Sequence, residues 1–292
     1  MPIVIGAPRS GTTLLRFMLD AHPSLAIPPE TGFLPAIGAL PPDVAGARAA
    51  IDTVTTFPPD APAWPDYGID TAAFRAAEDV LSAATPADIA RAFYRHYAAR
   101  FGKTRWGDKT PTYCHHVAAV GALLPEARFV HIVRDGRDVA ESIRPLWFSP
   151  GESVEARAAF WRDCVQAARA QATQVRGRYL EVRYEDLVEA PEPVLRTVSQ
   201  FVDLSFDPAM LEYHRGVPAR LLEHRDRVRD DGALVVSHET RLRQLALTRE
   251  PPQRARPAAW RNTMSATERE RFEAVAGDLL RELGYAQPAT GP

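Results

Sequence analysis

The sequence predicts an α/β fold: a parallel β-sheet of the phosphate-loop type, flanked by helices, with a helical and proline-rich lid over the ligand site. Three observations carry this. The chain opens with a buried-strand run, Ile3-Val4-Ile5, that passes through the glycine-spaced stretch GAPRSGTT into helical periodicity over Thr13–Leu19. Apolar strands at Arg128–Val133 and Tyr179–Val182 are separated by helical stretches, the alternation that produces a parallel sheet. Between the first and second of these units, the run from Ala39 to Tyr67 is broken repeatedly by proline, as a cap of short helices and turns is.

The remaining elements follow from local signals. Leu25–Pro35 is a short loop whose prolines stiffen the backbone around Glu30. Thr85-Pro86-Ala87-Asp88 is an N-cap with proline at the first helical position, starting a helix through about Phe101. A helix is expected near His115–Leu124, another from Asp138, and a long one within Ser153–Val175. Ser265-Ala266-Thr267-Glu268 is a capping box for a final amphipathic helix to about Leu283. Leu221–Arg261 is arginine-rich and weakly periodic, which fits either a mobile loop closing over an anion or a solvated charged face. The organisation expected is one domain over residues 1–285, with a lid insertion at about 39–101 and a flexible tail at 286–292.

Composition narrows the function. The chain has 292 residues, enough for a large core, and a formal net charge of −2 argues against general nucleic-acid binding. Its arginines must therefore act in local clusters. The two cysteines, Cys114 and Cys164, form no disulfide framework or metal-ligand spacing and read as buried hydrophobes. His115 and His116 head a helix with no third ligand nearby in sequence, which favours a structural role. No basic n-region precedes the first apolar run, and no stretch approaches the roughly 20 apolar residues of a membrane span. A soluble, cytoplasmic protein is expected, and the Ala, Arg and Pro content suits a GC-rich bacterial genome.

The stretch from Gly6 to Thr13 has the glycine spacing of a nucleotide phosphate loop, G-x-x-x-x-G-K-[ST], but Thr12 stands where the lysine belongs. That lysine reaches the β/γ-phosphates, so its loss points to an anion with a shorter phosphate chain. Arg9 supplies a forked, permanently charged donor within the loop instead. GKTRWGDKT at Gly102–Thr110 is no second phosphate loop, because its first glycine is missing from the required position. Four further stretches fall at loop ends where ligands bind in open α/β sheets: ETG at Glu30, WGDKTP at Trp106–Pro111, VRDGRDVAES at Val133–Ser142 and VRYEDL at Val182–Leu187.

Together with PRSGTT, this set resembles the sulfotransferases that use 3′-phosphoadenosine 5′-phosphosulfate (PAPS), and most closely the bacterial branch similar to the tyrosylprotein sulfotransferases. The resemblance covers about residues 1–285. It implies that Arg9, Ser10, Gly11, Thr12 and Thr13 bind the 5′-phosphosulfate, that Arg134 and Ser142 hold the 3′-phosphate, and that Tyr184 lies beside the adenine and 3′-phosphate. It further implies Glu30 as general base, Lys109 as the cation at the donor's bridging oxygen, adenosine 3′,5′-bisphosphate (PAP) as product, and no metal. The chain departs from animal cytosolic relatives in lacking their glycine-rich basic motif near the C-terminus. Arg254, Arg256 and Arg261, in REPPQRARPAAWRNTM, are the candidate replacements.

The expected reaction is in-line transfer of a sulfuryl group to a hydroxyl on a small molecule or peptide. Phe33, Phe57, Trp64, Tyr67 and Trp147 are candidates to line an apolar acceptor pocket, or to form local core. The competing readings are a small-molecule kinase of the same fold and a non-catalytic nucleotide-binding module. The missing loop lysine disfavours the first, and the joint presence of Glu30 and Lys109 disfavours the second.

Overall fold

A computed structural model describes residues 1–253 and 257–285. Four strands form the central sheet: β1 (Pro2–Ile5), β4 (Asp108–Lys109), β5 (Arg128–Val133) and β6 (Tyr179–Arg183), in the order β4-β1-β5-β6. Every pairing is parallel, with Ile3 opposite both Asp108 and Phe129, and Val130 opposite Leu180. A small parallel pair, β2 (Leu25–Ala26) and β3 (Arg105–Trp106), lies apart from it.

The strands are apolar because both faces of the sheet are covered. Alternate residues of β1 serve different cores: Ile3 and Ile5 join one cluster, Val4 the other. The first cluster takes in the helices Val44–Thr56, Pro86–Ala99, Val154–Ala172 and Ala266–Glu282; the second packs the helices Thr12–Asp20 and Pro191–Phe201. Both expected capping boxes are present, at Thr85/Asp88 and Ser265/Glu268. The helix near 115–124 divides into a 3₁₀ turn, Pro111–His115, and an α-helix, Val117–Leu123.

The proline-rich stretch contains more regular structure than its prolines suggest. Asp43 caps a 13-residue helix, Val44–Thr56, whose Ala47, Ala50 and Val54 are buried. Phe57, Pro58, Asp60, Ala61 and Ala63 line a cavity, whereas Trp64, Tyr67 and Phe74 pack with Phe93 and the rest of the core.

The arginine-rich stretch has more regular structure than its weak periodicity suggests. After the helix Val217–Leu221 it forms the antiparallel hairpin β7 (Arg227–Val228) and β8 (Leu234–Val236), the helix His238–Leu245 and a 3₁₀ turn Ala246–Arg249. Ion pairs hold it where apolar periodicity does not. The buried carboxylate of Asp66 accepts from Arg227 at 2.7 Å, from Arg241 at 2.7 and 3.0 Å, and from the Arg225 amide at 2.9 Å. Arg254, Arg256 and the tail 286–292 lie outside the described residues. Among the described residues, no helix is long and apolar enough to cross a membrane.

Candidate active site

The loop after β1 is shaped by two glycines and an arginine with unusual backbone. Gly6 has φ 150°, and a Cβ there would stand 2.5 Å from the Ile132 carbonyl oxygen. Gly11, at φ 99°, is the N-cap of the helix Thr12–Asp20, and a Cβ there would stand 2.4 Å from the Tyr184 ring. Arg9 adopts φ 76°, a left-handed conformation that a non-glycine residue holds at some cost, of a kind concentrated at ligand sites. Among the described residues no side chain caps the helix start, so its first N–H groups and the positive end of its dipole face the loop. Ser10 is 1% exposed, and its buried hydroxyl has no partner among the described residues.

The strand end at β5 brings the expected 3′-phosphate residues to this loop. Arg134 follows β5 and donates to the Arg9 carbonyl at 3.2 Å, while the Arg9 Nε donates to the Ser142 Oγ at 3.1 Å. Ser142 is placed by the helix Gly136–Ile143, which Asp135 caps. The Arg134 guanidinium lies 4.4 Å from the centre of the Tyr184 ring, and its buried Nε is unpartnered among the described residues. It also reaches Asp138 at 3.5 Å, but that carboxylate chiefly accepts from the Ala258 and Trp260 amides, at 2.8 and 2.9 Å. Arg9, Gly11, Thr12, Thr13, Arg134, Ser142 and Tyr184 all line one cavity of about 110 Å³, closed by 244–253.

A second cavity, of about 590 Å³, lies on the other side of the loop. Arg9, Thr12 and Thr13 line both. Glu30 and Lys109 line the larger one, at the boundary. Lys109, 4% exposed on β4, contacts the half-exposed carboxylate of Glu30 and reaches the Thr13 hydroxyl at 3.3 Å. Burial holds its ammonium pKa below the usual lysine value, with Glu30 opposing the shift.

Hydrogen bonds brace the backbone at Glu30 and Thr31. Tyr67 Oη donates to the Glu30 carbonyl at 3.0 Å, and Thr110 Oγ1 accepts from the Thr31 amide at 3.1 Å. Thr31 and Tyr94 both donate to the buried Asp108, at 2.7 and 2.8 Å. Burial raises the pKa of Asp108, which lines neither cavity and so offers nothing to a loop-bound ion.

Of the aromatic candidates for an acceptor pocket, Phe57 and Trp147 line the larger cavity. Phe33, Trp64 and Tyr67 belong to the core, because each is enclosed by the helix Pro86–Ala99 and its neighbours. Arg261 lines neither cavity; its guanidinium stacks 5.2 Å from the Trp260 ring.

His224 is a site residue that sequence reasoning missed. It lines the larger cavity beside Arg227 and Arg241. Burial, reinforced by Arg241, pushes its pKa down to about 2, so the ring is neutral. An Arg241 N–H lies 2.8 Å from Nδ1, and since a guanidinium only donates, the ring proton must sit on Nε2. That Nε2 is buried without a partner among the described residues.

A family model described as "Sulfotransferase family" matches residues 2–208, which include every one of these loop, strand-end and lysine positions. The chain belongs to the sulfotransferase family. It is similar to nodulation protein NoeE of Sinorhizobium fredii, 28% identical over 305 residues, covering 97% of this chain and 65% of that one. It is also similar to protein-tyrosine sulfotransferase 1 of Danio rerio, 26% identical over 219 residues, covering 73% of this chain and 56% of that one. This sulfotransferase thus spans less than two thirds of the length of either relative.

Among solved structures, the sulfotransferase domain from the Synechococcus PCC 7002 olefin synthase matches 99% of this chain and 95% of its own, with a TM-score of 0.62 and 26% identity. The sulfotransferase domain from the curacin biosynthetic pathway matches with a TM-score of 0.64 at 21% identity, covering 99% of this chain and 98% of its own. The parallel sheet and flanking helices are therefore the sulfotransferase fold.

Proposed function

We propose that this sulfotransferase moves a sulfuryl group from PAPS to a hydroxyl, with the nucleotide in the smaller cavity and the acceptor in the larger. The observation that carries this reading is the shared wall. Arg9, Thr12 and Thr13 border both cavities, and Lys109 and Glu30 meet at that border, where a group passing between two ligands must cross.

The residues fit the donor. The uncapped helix start and the unpartnered Ser10 hydroxyl suit a 5′-phosphosulfate, and the close approach of the Tyr184 ring to Gly11 leaves the loop backbone bare for it. Arg134, whose buried Nε has no partner among the described residues, and Ser142 suit the 3′-phosphate, with Tyr184 beside them. When bound, PAPS supplies an activated sulfuryl group whose leaving group is a phosphate. Lys109 turns from Glu30 to stabilise negative charge on the departing oxygen, and Arg9 offsets charge on the transferred group. Glu30, released by that turn, accepts the proton of the acceptor hydroxyl. The acceptor oxygen forms the new sulfur–oxygen bond as the bridging one breaks, and PAP leaves with the electron pair. The neutral His224 stands on the wall of the larger cavity beside Arg227 and Arg241. No step requires a metal.

The larger cavity mixes Phe57, Pro58, Trp147 and Phe148 with Arg227 and Arg229, so either a small molecule or a peptide side chain suits it. The supporting experiment is a screen of hydroxyl compounds and tyrosine peptides with PAPS, read by accurate mass. A sulfuryl gain supports the reading. Phosphoryl gain from ATP and magnesium, with none from PAPS, overturns it.

A further inference from the structure

Cys114 and His115 lie 49 or more positions from Cys164 and on a different element, yet the ligand atoms of all three come within 4.8 Å of one another. The Cys164 Sγ is 3.5 Å from the His115 Nε2, and the two sulfurs lie within 4.8 Å of each other. Both thiols are fully buried, while His115 is exposed, so the cluster opens to solvent on its histidine side. Gln171 fixes that side: its amide donates to the His115 carbonyl at 3.0 Å, and its Oε1 accepts from the Ala118 amide at 3.1 Å.

We propose that Cys114, His115 and Cys164 form a binding site for a thiophilic divalent metal such as zinc. Two sulfurs and an imidazole, with no carboxylate among them, select zinc or a similar soft ion over magnesium or calcium. Tetrahedral zinc at its usual bond lengths separates such ligand atoms by about 3.4–3.8 Å, so the cluster needs only a small closure. Each thiol loses its proton to solvent on binding, and the fourth position, facing the exposed side, is left to water.

The site would act at a distance on the loop. Cys114 and His115 belong to the turn Pro111–His115 that follows Lys109, and the Pro111 carbonyl accepts from the Gly6 amide at 3.3 Å. A metal here clamps that turn to the long helix Val154–Ala172, and so braces the phosphate loop and the lysine strand from behind. The inference does not depend on the donor or acceptor assigned above.

The test is a cobalt(II) titration of the full chain, reduced and stripped of metal, followed by competition with zinc. A thiolate-to-cobalt charge-transfer band with tetrahedral d–d bands, saturating at one equivalent and displaced by zinc, is expected. Cys164→Ala should abolish the band. His115→Ala, at an exposed position that leaves the core intact, should weaken binding by at least about tenfold, since even residues supporting a ligand cost 10–100-fold. Absence of the band, a band unchanged in His115→Ala, or conversion of both thiols to a disulfide by mild oxidant with no metal uptake in the reduced chain would each overturn the proposal.

Discussion

Glu30 and Lys109 hold one another at the border of the two cavities, and in the proposed reaction that contact sets the order in which they work. Glu30→Gln keeps the shape and the neighbouring backbone bonds but removes the proposed base. Single-turnover transfer should fall by roughly 10²–10⁴-fold while PAP affinity stays nearly intact. Full activity in that variant would reassign the proton. The proposed role of Arg134 is binding instead: its guanidinium sits over Tyr184 and beside the Arg9 carbonyl, with its Nε unpartnered among the described residues. Arg134→Ala should lose about 1.5–3 kcal/mol of binding to PAP, roughly 10–150-fold, and far less to nucleotides lacking the 3′-phosphate. An unchanged preference for the 3′-phosphorylated form, measured by calorimetry, would assign that phosphate elsewhere.

At the scale of elements, the segment from Ala246 to Gln253 closes the smaller cavity with Leu247, Thr248, Pro251 and Pro252. Its 110 Å³ is well below the roughly 300 Å³ at which pockets for whole ligands begin, so the proposed nucleotide site requires this wall to draw back and re-form. Hydrogen exchange at amides 246–250 should slow when PAP is added; unchanged exchange would mean the nucleotide sits elsewhere. The preceding hairpin and helix are tied down by Asp66 and by His224, and His224 has a thermodynamic signature. Its pKa is about 2 folded against 6.5 unfolded, so between those values the unfolded chain binds a proton that the folded chain does not. Stability is therefore complete above pH 6.5 and falls as pH is lowered, by about 1.4 kcal/mol per unit from this ring alone. His131, fully buried and shifted down by burial, adds in the same direction. His224→Gln should flatten the slope of urea-derived stability between pH 5 and 6 by about 1 kcal/mol per unit; equal slopes in the two proteins would contradict a neutral, buried His224.

Across the whole molecule, the parts legible in the sequence are those set by neighbours along the chain. The strand–loop–helix from Pro2 to Asp20, the strand Arg128–Val133 and the caps at Thr85 and Ser265 all depend on residues a few positions apart, and all stand where expected. Arg134 and Ser142 were legible too, because a strand end and the next helix bring them to the loop together. What escaped was set by partners far away. Asp66 meets Arg227 and Arg241 across 161 and 175 positions, so their stretch reads as unstructured charge until the fold supplies the carboxylate. Cys114 and Cys164 show no ligand spacing because a turn and a helix bring them together only in space. Phe33, Trp64 and Tyr67 read equally as pocket or core, since periodicity is lost among prolines, and packing against Phe93 decided for core. The central claim is that a phosphate loop with Thr12 in place of lysine, joined to Arg134 and Ser142, reads a 3′-phosphorylated adenosine nucleotide rather than a triphosphate. Calorimetry of the full chain with PAP and with ATP, each with and without magnesium, tests it most directly. The account predicts PAP binding that is independent of magnesium and at least about tenfold tighter than ATP, as one charge-assisted contact to the 3′-phosphate requires; equal affinities, or binding that needs magnesium, would contradict it.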